Sequence, residues 1–404
     1  MKNLQISLLL IFLFIQSFIY ATKLQEGYWF GNLKLQNLHQ LHFIFNVDST
    51  QKIVIYNGKE KIKMKSFEYK ADSLKVYFSC FPNYLIFKID SSNQNRISGY
   101  FVNPDRKKHS KIDFEAVFYG ADKESIQALE KPQDISGKWQ VNFSPNTKYE
   151  YPAIGKFEQN YDDISGTFLT ETGDYRYLSG SFNDNKLKLS SFDGAHVFLF
   201  TATLENDTLK GEFLSGNHWK TEWIGVRNDD FQLKDPDSLT YMVKDTFDFN
   251  FKTVNGENYS YPNASLKGKV VIVQILGTWC PNCLDETNFY KELYDTYNAE
   301  GLEIIGVAYE VPEAYEEQVQ RINRYTKNKN VAYPILVGGI ASKSITSKDF
   351  DMLNEITSFP TSIFINKDGE VVKIHTGFNG PGTGEIYEDY KVETTQLINK
   401  LLRE

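Results

Sequence analysis

The pattern of hydrophobic and polar positions changes near residue 240 and divides the chain into two regions. Before this point, short aromatic and β-branched runs are separated by Gly, Asn and Asp, without a helical period. Runs of this kind predict strands joined by tight turns. Clear examples are residues 41–47, 85–89, 153–157 and 196–203. The first region is therefore predicted to be all-β.

After residue 240, apolar strands alternate with helical patterns. Residues 269–276 and 302–309 are nearly continuous apolar runs, typical of strands in the buried centre of a sheet. A hairpin is predicted around the turn at residues 366–369. The remaining predicted elements are helices over 285–299, 313–327 and 385–402 and a short strand over 333–337. This alternation predicts an α/β domain.

Three segments of the all-β region recur in register. Gly27-Tyr28-Trp29 recurs as Gly137-Lys138-Trp139, and two further pairs of segments recur at offsets of 113 and 112 residues. Such a repeat predicts two related modules, each a small antiparallel barrel or sandwich. The predicted organisation is a first β module over 22–120, a charged joint over 121–134, a second β module over 135–227, a linker over 228–240 and the α/β domain over 241–404.

The N-terminus has the pattern of an export signal. Lys2 precedes an apolar run over residues 6–21, which ends in the small residue Ala21. This pattern is typical of a signal peptide, here over residues 1–21. The run is shorter than the about 20 residues that span a bilayer. The sequence thus predicts an exported protein of the periplasm or cell envelope, with a retained N-terminal membrane anchor as the alternative.

Net charge and cysteine content reduce the range of possible functions. The net charge of −8 argues against nucleic acid as a partner. An exported protein stabilised by disulfides would usually carry more than the three cysteines present here. Cys280 and Cys283 lie at CxxC spacing and form the obvious pair. Cys80 is interpreted as a small buried apolar side chain.

The chemistry is predicted to lie in Trp279-Cys280-Pro281-Asn282-Cys283, directly after a buried strand. Cys280 sits where a helix should begin, and there the exposed backbone N–H groups and the helix dipole favour a thiolate. Because the thiolate is the attacking species in disulfide exchange, Cys280 is the predicted nucleophile. Cys283 lies one helical turn further on the same face, close enough to form a disulfide. Pro281 suits a first helical turn, where a backbone donor is dispensable.

This segment resembles the active site of the thioredoxin superfamily, and its details are similar to those of the TlpA/ResA branch of exported reductases. The resemblance covers about residues 240–404 and includes Phe247-Asp248-Phe249 and Phe359-Pro360-Thr361. It implies a thioredoxin-like fold in which Pro360 is cis and faces the CxxC, with the backbone of Phe359 pairing to an extended substrate. It also implies a disulfide reductase that receives electrons from a membrane-spanning thiol–disulfide donor. Apocytochromes c, during cytochrome c maturation, are among the conceivable clients, although no residue of this chain selects them.

Three positions near the cysteines refine this resemblance. Thioredoxins carry a buried Asp six residues before the first Cys, where this chain has Gln274. The TlpA/ResA branch has an acidic residue three positions after the second Cys, and Glu286 matches it. Glu286 could exchange a proton with the resolving thiol, or it could simply balance the helix dipole. Trp279 is expected to shield the disulfide and contact substrate, with plain packing as the alternative.

A metal site is not predicted. A closed zinc site needs four ligands. The sequence has no second CxxC, and His218 and His375 lack a ligand pattern. No cofactor is expected beyond a redox-active disulfide between Cys280 and Cys283.

The preferred hypothesis is an exported enzyme that reduces substrate proteins by dithiol exchange, in which Cys280 attacks and Cys283 resolves. A thiol peroxidase shares the fold, but Val273 and Gly277 occupy the positions where its attacking Cys needs Pro and Thr or Ser. A different alternative is a binding protein built on the β modules, with an accessory redox site. Cys-Pro-Asn-Cys does not itself fix the direction of electron flow.

Overall fold

The computed structural model describes residues 23–65, 67–70, 73–90, 92–120 and 133–404. The predicted signal peptide and most of the predicted joint over 121–134 lie outside the described residues. Three sheets follow one another along the described part of the chain. Within these ranges, no helix has the length and apolar character needed to cross a bilayer.

The first sheet contains nine antiparallel strands in the order β4-β3-β2-β1-β9-β8-β7-β6-β5. Buried and more exposed side chains alternate along its strands, as expected for a sheet with one face on a hydrophobic core. Its strands are Gly27–Lys34 (β1), Gln40–Val47 (β2), Ile53–Asn57 (β3), Glu60–Lys63 (β4), Glu68–Lys70 (β5), Ser73–Tyr77 (β6), Tyr84–Ile89 (β7), Arg96–Val102 (β8) and Lys111–Gly120 (β9).

The second sheet closes on itself as an eight-stranded antiparallel barrel. Pairing between β11 and β12 joins the two ends of the strand order β11-β10-β18-β17-β16-β15-β14-β12, and the short β13 extends from β12. Closure leaves the barrel without a free edge. Its strands are Gly137–Phe143 (β10), Tyr151–Asn160 (β11), Asp163–Thr170 (β12), Gly173–Asp174 (β13), Leu178–Asn183 (β14), Lys186–Phe192 (β15), Val197–Glu205 (β16), Thr208–Ser215 (β17) and Trp219–Arg227 (β18).

Equivalent tryptophans account for the sequence repeat. Trp29 on β1 and Trp139 on β10 are both fully buried. Each indole N–H donates to the carbonyl of the residue four positions earlier, Gln25 at 3.0 Å and Ile135 at 2.9 Å. The repeated Gly-x-Trp therefore marks the same structural position in both modules. The prediction of two repeated all-β modules before an α/β domain is confirmed.

The C-terminal domain has a seven-stranded mixed sheet in the order β20-β19-β23-β22-β21-β24-β25. The three central strands, β21 to β23, are parallel, and the outer pairings are antiparallel. Its strands are Phe249–Lys252 (β19), Asn258–Tyr261 (β20), Val270–Leu276 (β21), Leu302–Glu310 (β22), Ile335–Ile340 (β23), Thr361–Ile365 (β24) and Val371–Thr376 (β25). Its helices are Pro281–Tyr297 (α1), Tyr315–Lys329 (α2), Lys343–Asp349 (α3) and Glu385–Arg403 (α4).

The predicted helices and strands of the C-terminal domain are present, with ends shifted by up to four residues. Helix α1 begins at Pro281, four residues before the predicted start, because the Cys280 sulfur caps it in place of a usual capping residue. Helix α3 and the hairpin of β19 and β20 were not predicted at all, since both are short and largely polar in sequence.

Packing and polar contacts join the three parts of the chain. One continuous cluster of buried apolar side chains runs from the first β module to helix α1 and both catalytic-motif cysteines. The guanidinium of Arg321 on α2 contacts both carboxylate oxygens of Asp105 in the first module. The predicted linker is also held in place, because Asp237 contacts Lys373 and His375 on β25.

Candidate active site

The active-site helix α1 starts where the buried central strand β21 ends. Cys280 is its capping residue, with an extended backbone, and the backbone N–H of Cys283 donates to the Cys280 sulfur at 3.4 Å. Pro281 occupies the first helical position and is buried. The structure thus places the Cys280 sulfur at the N-terminal, positive end of the α1 dipole.

The two cysteines differ in burial. Cys280 is 7% exposed and Cys283 is 0% exposed, and both are free thiols. Burial raises the pKa of the Cys283 thiol well above its usual value, and the adjacent Cys280 sulfur and Glu286 act in the same direction. Of the pair, Cys280 is therefore the more accessible sulfur, and Cys283 lies behind it with its protonated form favoured.

The loop before β24 forms one wall of the site. The Phe359–Pro360 peptide bond is cis, and the Cys280 thiol donates to the Phe359 carbonyl at 3.5 Å. The Trp279 ring packs edge-on against the Phe359 ring, with the centroids 5.9 Å apart, and its indole N–H donates to the Tyr309 carbonyl at 2.9 Å. Trp279 and Phe359 are both half-buried, so they present aromatic surface next to the reactive sulfur.

Glu286 lies fully buried one turn after Cys283, held by two hydrogen bonds. The Gln274 side-chain amide donates to Glu286 Oε2 at 2.8 Å, and the Ser362 hydroxyl donates to Glu286 Oε1 at 2.9 Å. Burial raises the pKa of Glu286 to about 7, although these hydrogen bonds oppose the shift. A carboxyl group that titrates near neutral pH can both accept and return a proton.

A second buried carboxyl group, Glu310 at the end of β22, holds the turn before Cys280. It accepts hydrogen bonds of 2.9 Å from both the backbone N–H and the hydroxyl of Thr278. Burial raises the pKa of Glu310 to about 7. Sequence reasoning did not identify this residue, although a Glu that ends an apolar parallel strand, at the edge where a site is expected, was a usable signal.

The second β module also reaches the site. The Asn282 side-chain amide, between the two cysteines, is within 2.8 Å of Asp174 Oδ1, 3.1 Å of the Asp174 carbonyl and 3.0 Å of the Phe378 carbonyl. Nearby, Arg176 Nη2 lies 3.3 Å from Asp285 Oδ1 on α1. Burial raises the pKa of Asp285 to about 7, and Arg176 opposes that shift. No local sequence signal could have linked residues 108 positions apart.

The described residues hold no group of three or more His, Cys, Asp or Glu side chains arranged to bind a metal ion. His375 instead contacts Asp237, and His218 lies in a small cleft far along the chain from the CxxC. The chemical groups around the CxxC are thus two thiols, a rim of aromatic and backbone groups, and the buried carboxyl groups of Glu286, Glu310, Asp285 and Asp174.

Comparison with known proteins gives matches to the C-terminal domain. The Redoxin family profile matches residues 242–390. The thiol-disulfide oxidoreductase ResA of Halalkalibacterium halodurans is 32% identical over 130 residues, which are 32% of this chain and 65% of that protein. The thioredoxin-like protein YneN of Bacillus subtilis is 29% identical over 130 residues, which are 32% of this chain and 68% of that protein. The chain thus spans about two thirds of the length of these relatives.

Comparison with solved structures also gives matches of low TM-score. A thiol:disulfide interchange protein of the thioredoxin family from Chlorobium tepidum is 26% identical and matches with a TM-score of 0.30, covering 39% of this chain and 96% of that one. The profile match, the ResA relatives and the order of the C-terminal elements agree on one assignment. The C-terminal domain of this chain is thus similar to thiol-disulfide oxidoreductases of the TlpA/ResA-like type in the thioredoxin superfamily.

Proposed function

We propose that this protein is an exported thiol–disulfide oxidoreductase that reduces disulfides in substrate proteins. The observation that carries the proposal is the asymmetry of the two thiols. Cys280 caps a helix N-terminus at the rim of the site, whereas Cys283 is fully buried within electrostatic range of Glu286. The first arrangement suits a nucleophile, and the second suits a resolving thiol that needs a proton acceptor.

The proposed cycle has two exchange steps. The Cys280 thiolate attacks one sulfur of the substrate disulfide, so a Cys280–substrate disulfide forms and the other substrate sulfur leaves as a thiolate that takes up a proton. Cys283 then gives its proton to Glu286, and its thiolate attacks the Cys280 sulfur. The second substrate sulfur leaves, and the Cys280–Cys283 disulfide remains. The substrate gains two electrons and the dithiol loses two, which balances the reaction.

The Phe359 carbonyl has a part in binding an extended substrate. It accepts a hydrogen bond from the Cys280 thiol in the reduced protein. When Cys280 loses its proton and joins the substrate, this carbonyl becomes available for a substrate N–H group. Trp279 and Pro360 flank the same position, with Trp279 contributing apolar surface. We propose Trp279, Pro281, Phe359 and Pro360 as the substrate-contacting rim.

The reducing direction is proposed from the resemblance to the TlpA/ResA branch of exported reductases. Strong oxidants of this superfamily owe their potential to a stabilised reduced form. Burial and the neighbouring Glu286 keep Cys283 a neutral thiol, so this residue adds no thiolate that would stabilise the dithiol. A membrane-spanning thiol–disulfide donor would then restore the dithiol.

Export is supported by the apolar run over residues 6–21. Cell fractionation is expected to find the protein in the periplasm or cell envelope, and N-terminal sequencing is expected to begin after Ala21. An N-terminus at Met1 in the cytoplasmic fraction would contradict export.

The direction of electron flow is tested by the equilibrium reduction potential of the Cys280–Cys283 couple in thiol buffers. A value near that of thioredoxin, about −270 mV, is expected for a reductant. A value nearer about −120 mV would make the protein a disulfide donor instead. The absence of any reversible couple would remove the proposed activity altogether.

A further inference from the structure

A turn of the second β module forms part of the wall around the CxxC. This turn, residues 172–176, contacts the C-terminal domain on both sides of the Cys280 sulfur. The Thr172 carbonyl accepts a hydrogen bond of 3.1 Å from the hydroxyl of Ser358, directly before the Phe359–Pro360 bond. Asp174 contacts Asn282 inside the CxxC. The turn therefore touches both segments that surround the Cys280 sulfur.

Asn282 is held by acceptors from outside its own helix. Its two amide hydrogens face Asp174 Oδ1, the Asp174 carbonyl and the Phe378 carbonyl, all within 3.1 Å. A Cβ atom at Gly173 would approach the Asn282 amide nitrogen to 3.0 Å, and the Gly173 backbone has φ +134°. Only glycine allows this close approach in that conformation. The local sequence of the turn thus matches a tight contact with the CxxC.

The Asp174 side chain is buried and surrounded by donors. Oδ1 accepts from Asn282 at 2.8 Å and from the Gly380 N–H at 3.2 Å, and Oδ2 accepts from the Arg176 N–H at 3.1 Å. Burial raises the pKa of Asp174, while these N–H groups and the Arg176 charge oppose the shift. Since each of these partners donates, the ionised carboxylate is the form that satisfies the whole set.

Arg176, at the end of the turn, forms ion pairs with residues in each of the two β modules and in the C-terminal domain. Its guanidinium is 2.8 Å from Glu60 in the first β module, 3.6 Å from Asp193 in the second and 3.3 Å from Asp285 on helix α1. Burial opposes its charge, but the carboxylates of Asp285 and Glu60 outweigh burial and raise the pKa of Arg176. The turn is therefore anchored, and Asp174 has a fixed place beside the CxxC.

We propose that Asp174 is a positioning residue of the redox site, which sets the thiol–disulfide equilibrium of Cys280 and Cys283 by holding Asn282. The proposal rests on the proposed function. Residues between the two cysteines tune the potential of such pairs. Through its hydrogen bond with Asn282, the Asp174 carboxylate directs negative charge toward the N-terminus of α1, where the Cys280 thiolate would draw on the helix dipole. The second β module therefore favours the oxidised pair and makes the dithiol a stronger reductant.

The test is the equilibrium of the full-length protein with reduced and oxidised glutathione. In Asp174→Asn, the equilibrium is expected to move about threefold to tenfold toward the dithiol, and a tenfold change corresponds to about 30 mV. Alkylation of Cys280 by iodoacetamide is expected to accelerate. The matched control is Asp184→Asn, which removes the same charge from an exposed turn of the same module and should leave both measurements unchanged.

A double-mutant cycle identifies the route of the effect. If Asp174 acts through Asn282, then Asp174→Asn should have little additional effect in an Asn282→Ala background. An unchanged equilibrium in Asp174→Asn, or the same shift in both backgrounds, would overturn the proposal. Should Asp174→Asn fail to fold, the half-buried Asn282→Ala variant must still shift the equilibrium, and no shift would overturn the proposal. A wild-type protein without a reversible couple would instead overturn the proposed function.

Discussion

Gln274 Nε2 donates to Glu286 Oε2 across 2.8 Å, and both side chains are fully buried. The Gln274 carbonyl oxygen in turn lies 3.3 Å from the hydroxyls of Thr287 and Tyr333. The amide is thus fixed at both ends and holds one oxygen of the carboxyl group, while Ser362 holds the other. Gln274, which replaces the buried Asp of thioredoxins, therefore orients the acidic residue of the TlpA/ResA branch.

This network predicts the behaviour of Glu286→Gln. At neutral pH the variant should resolve a preformed Cys280–substrate disulfide about 100-fold more slowly, because an amide cannot accept the Cys283 proton. In the wild type, the rate should rise with pH as Glu286 ionises near its pKa of about 7. The variant should lack this rise. Rapid-quench measurement of the released substrate thiol gives both the rate at neutral pH and its dependence on pH. Asp295→Asn, on the exposed side of α1, is the control and should behave as the wild type. An unaltered pH profile would show that Glu286 only balances the helix dipole.

The unequal burial of the thiols predicts different outcomes for two serine variants. Cys280→Ser should lose disulfide exchange completely, since the reachable sulfur is gone. Cys283→Ser should still attack and should accumulate a mixed disulfide with substrate, which non-reducing electrophoresis and mass spectrometry can detect. Cys80→Ala is the control and should turn over normally. Normal turnover by either active-site variant would refute the assigned roles.

Removal of the buried charge at Arg176 should weaken the whole assembly. Arg176→Met leaves Glu60, Asp193 and Asp285 without their shared cation, and breaking a buried ion pair typically costs about 3–5 kcal/mol. Lys59→Met is the control, because its pair with Glu158 is exposed and such pairs contribute about 0–1 kcal/mol. Urea unfolding followed by tryptophan fluorescence measures both. Equal midpoints for the two variants would mean that the Arg176 cluster does not hold the modules together.

Glu310 predicts a pH dependence of stability. Its pKa is raised from 4.5 to about 7 on folding, so between these values the folded protein binds more protons than the unfolded chain. The free energy of unfolding therefore falls as pH rises through this window, by about 1.4 kcal/mol for each pKa unit. Glu310→Gln should reduce the loss of melting temperature between about pH 5 and about pH 8 by a few degrees. The exposed Glu313→Gln should keep the wild-type slope, and an identical slope in both variants would contradict the assignment.

The fold and the core of the site could be predicted because their signals are local. An apolar strand followed by Cys280-Pro281-Asn282-Cys283 indicates a strand–turn–helix unit, and Gly-x-Trp in register indicates a repeat. The helical pattern alone predicted α1 from residue 285, whereas the CxxC motif predicted a helix that begins at Cys280, which is the capping residue of α1 in the structure. The local signals thus reached the two cysteines, and the resemblance to the TlpA/ResA branch added Glu286.

The rest of the site depends on contacts between distant parts of the chain. Asp174 and Arg176 lie in a polar turn that reads as an ordinary loop, and their importance arises only when the barrel packs against α1. Glu310 is a single charged residue at the end of an apolar strand. Its role follows only from the folded structure, in which it is buried and accepts two hydrogen bonds from Thr278. Physical effects of this kind come from the tertiary arrangement and leave little trace in a single sequence.

The burial of Cys80 has a consequence for a protein that handles disulfides. Cys80 is packed within the apolar cluster of the first β module, and it is the one cysteine of the chain outside the active pair. The β modules are therefore stabilised by packing and hydrogen bonds. They contain no disulfide that the thiol–disulfide exchange of the active pair could rearrange. A strong reductant that opens the proposed Cys280–Cys283 bond would find no disulfide to cleave within the two β modules, whose one cysteine is Cys80. Such a protein can pass through many oxidation cycles, and through changes in the redox state of its compartment, with its structural framework unaffected.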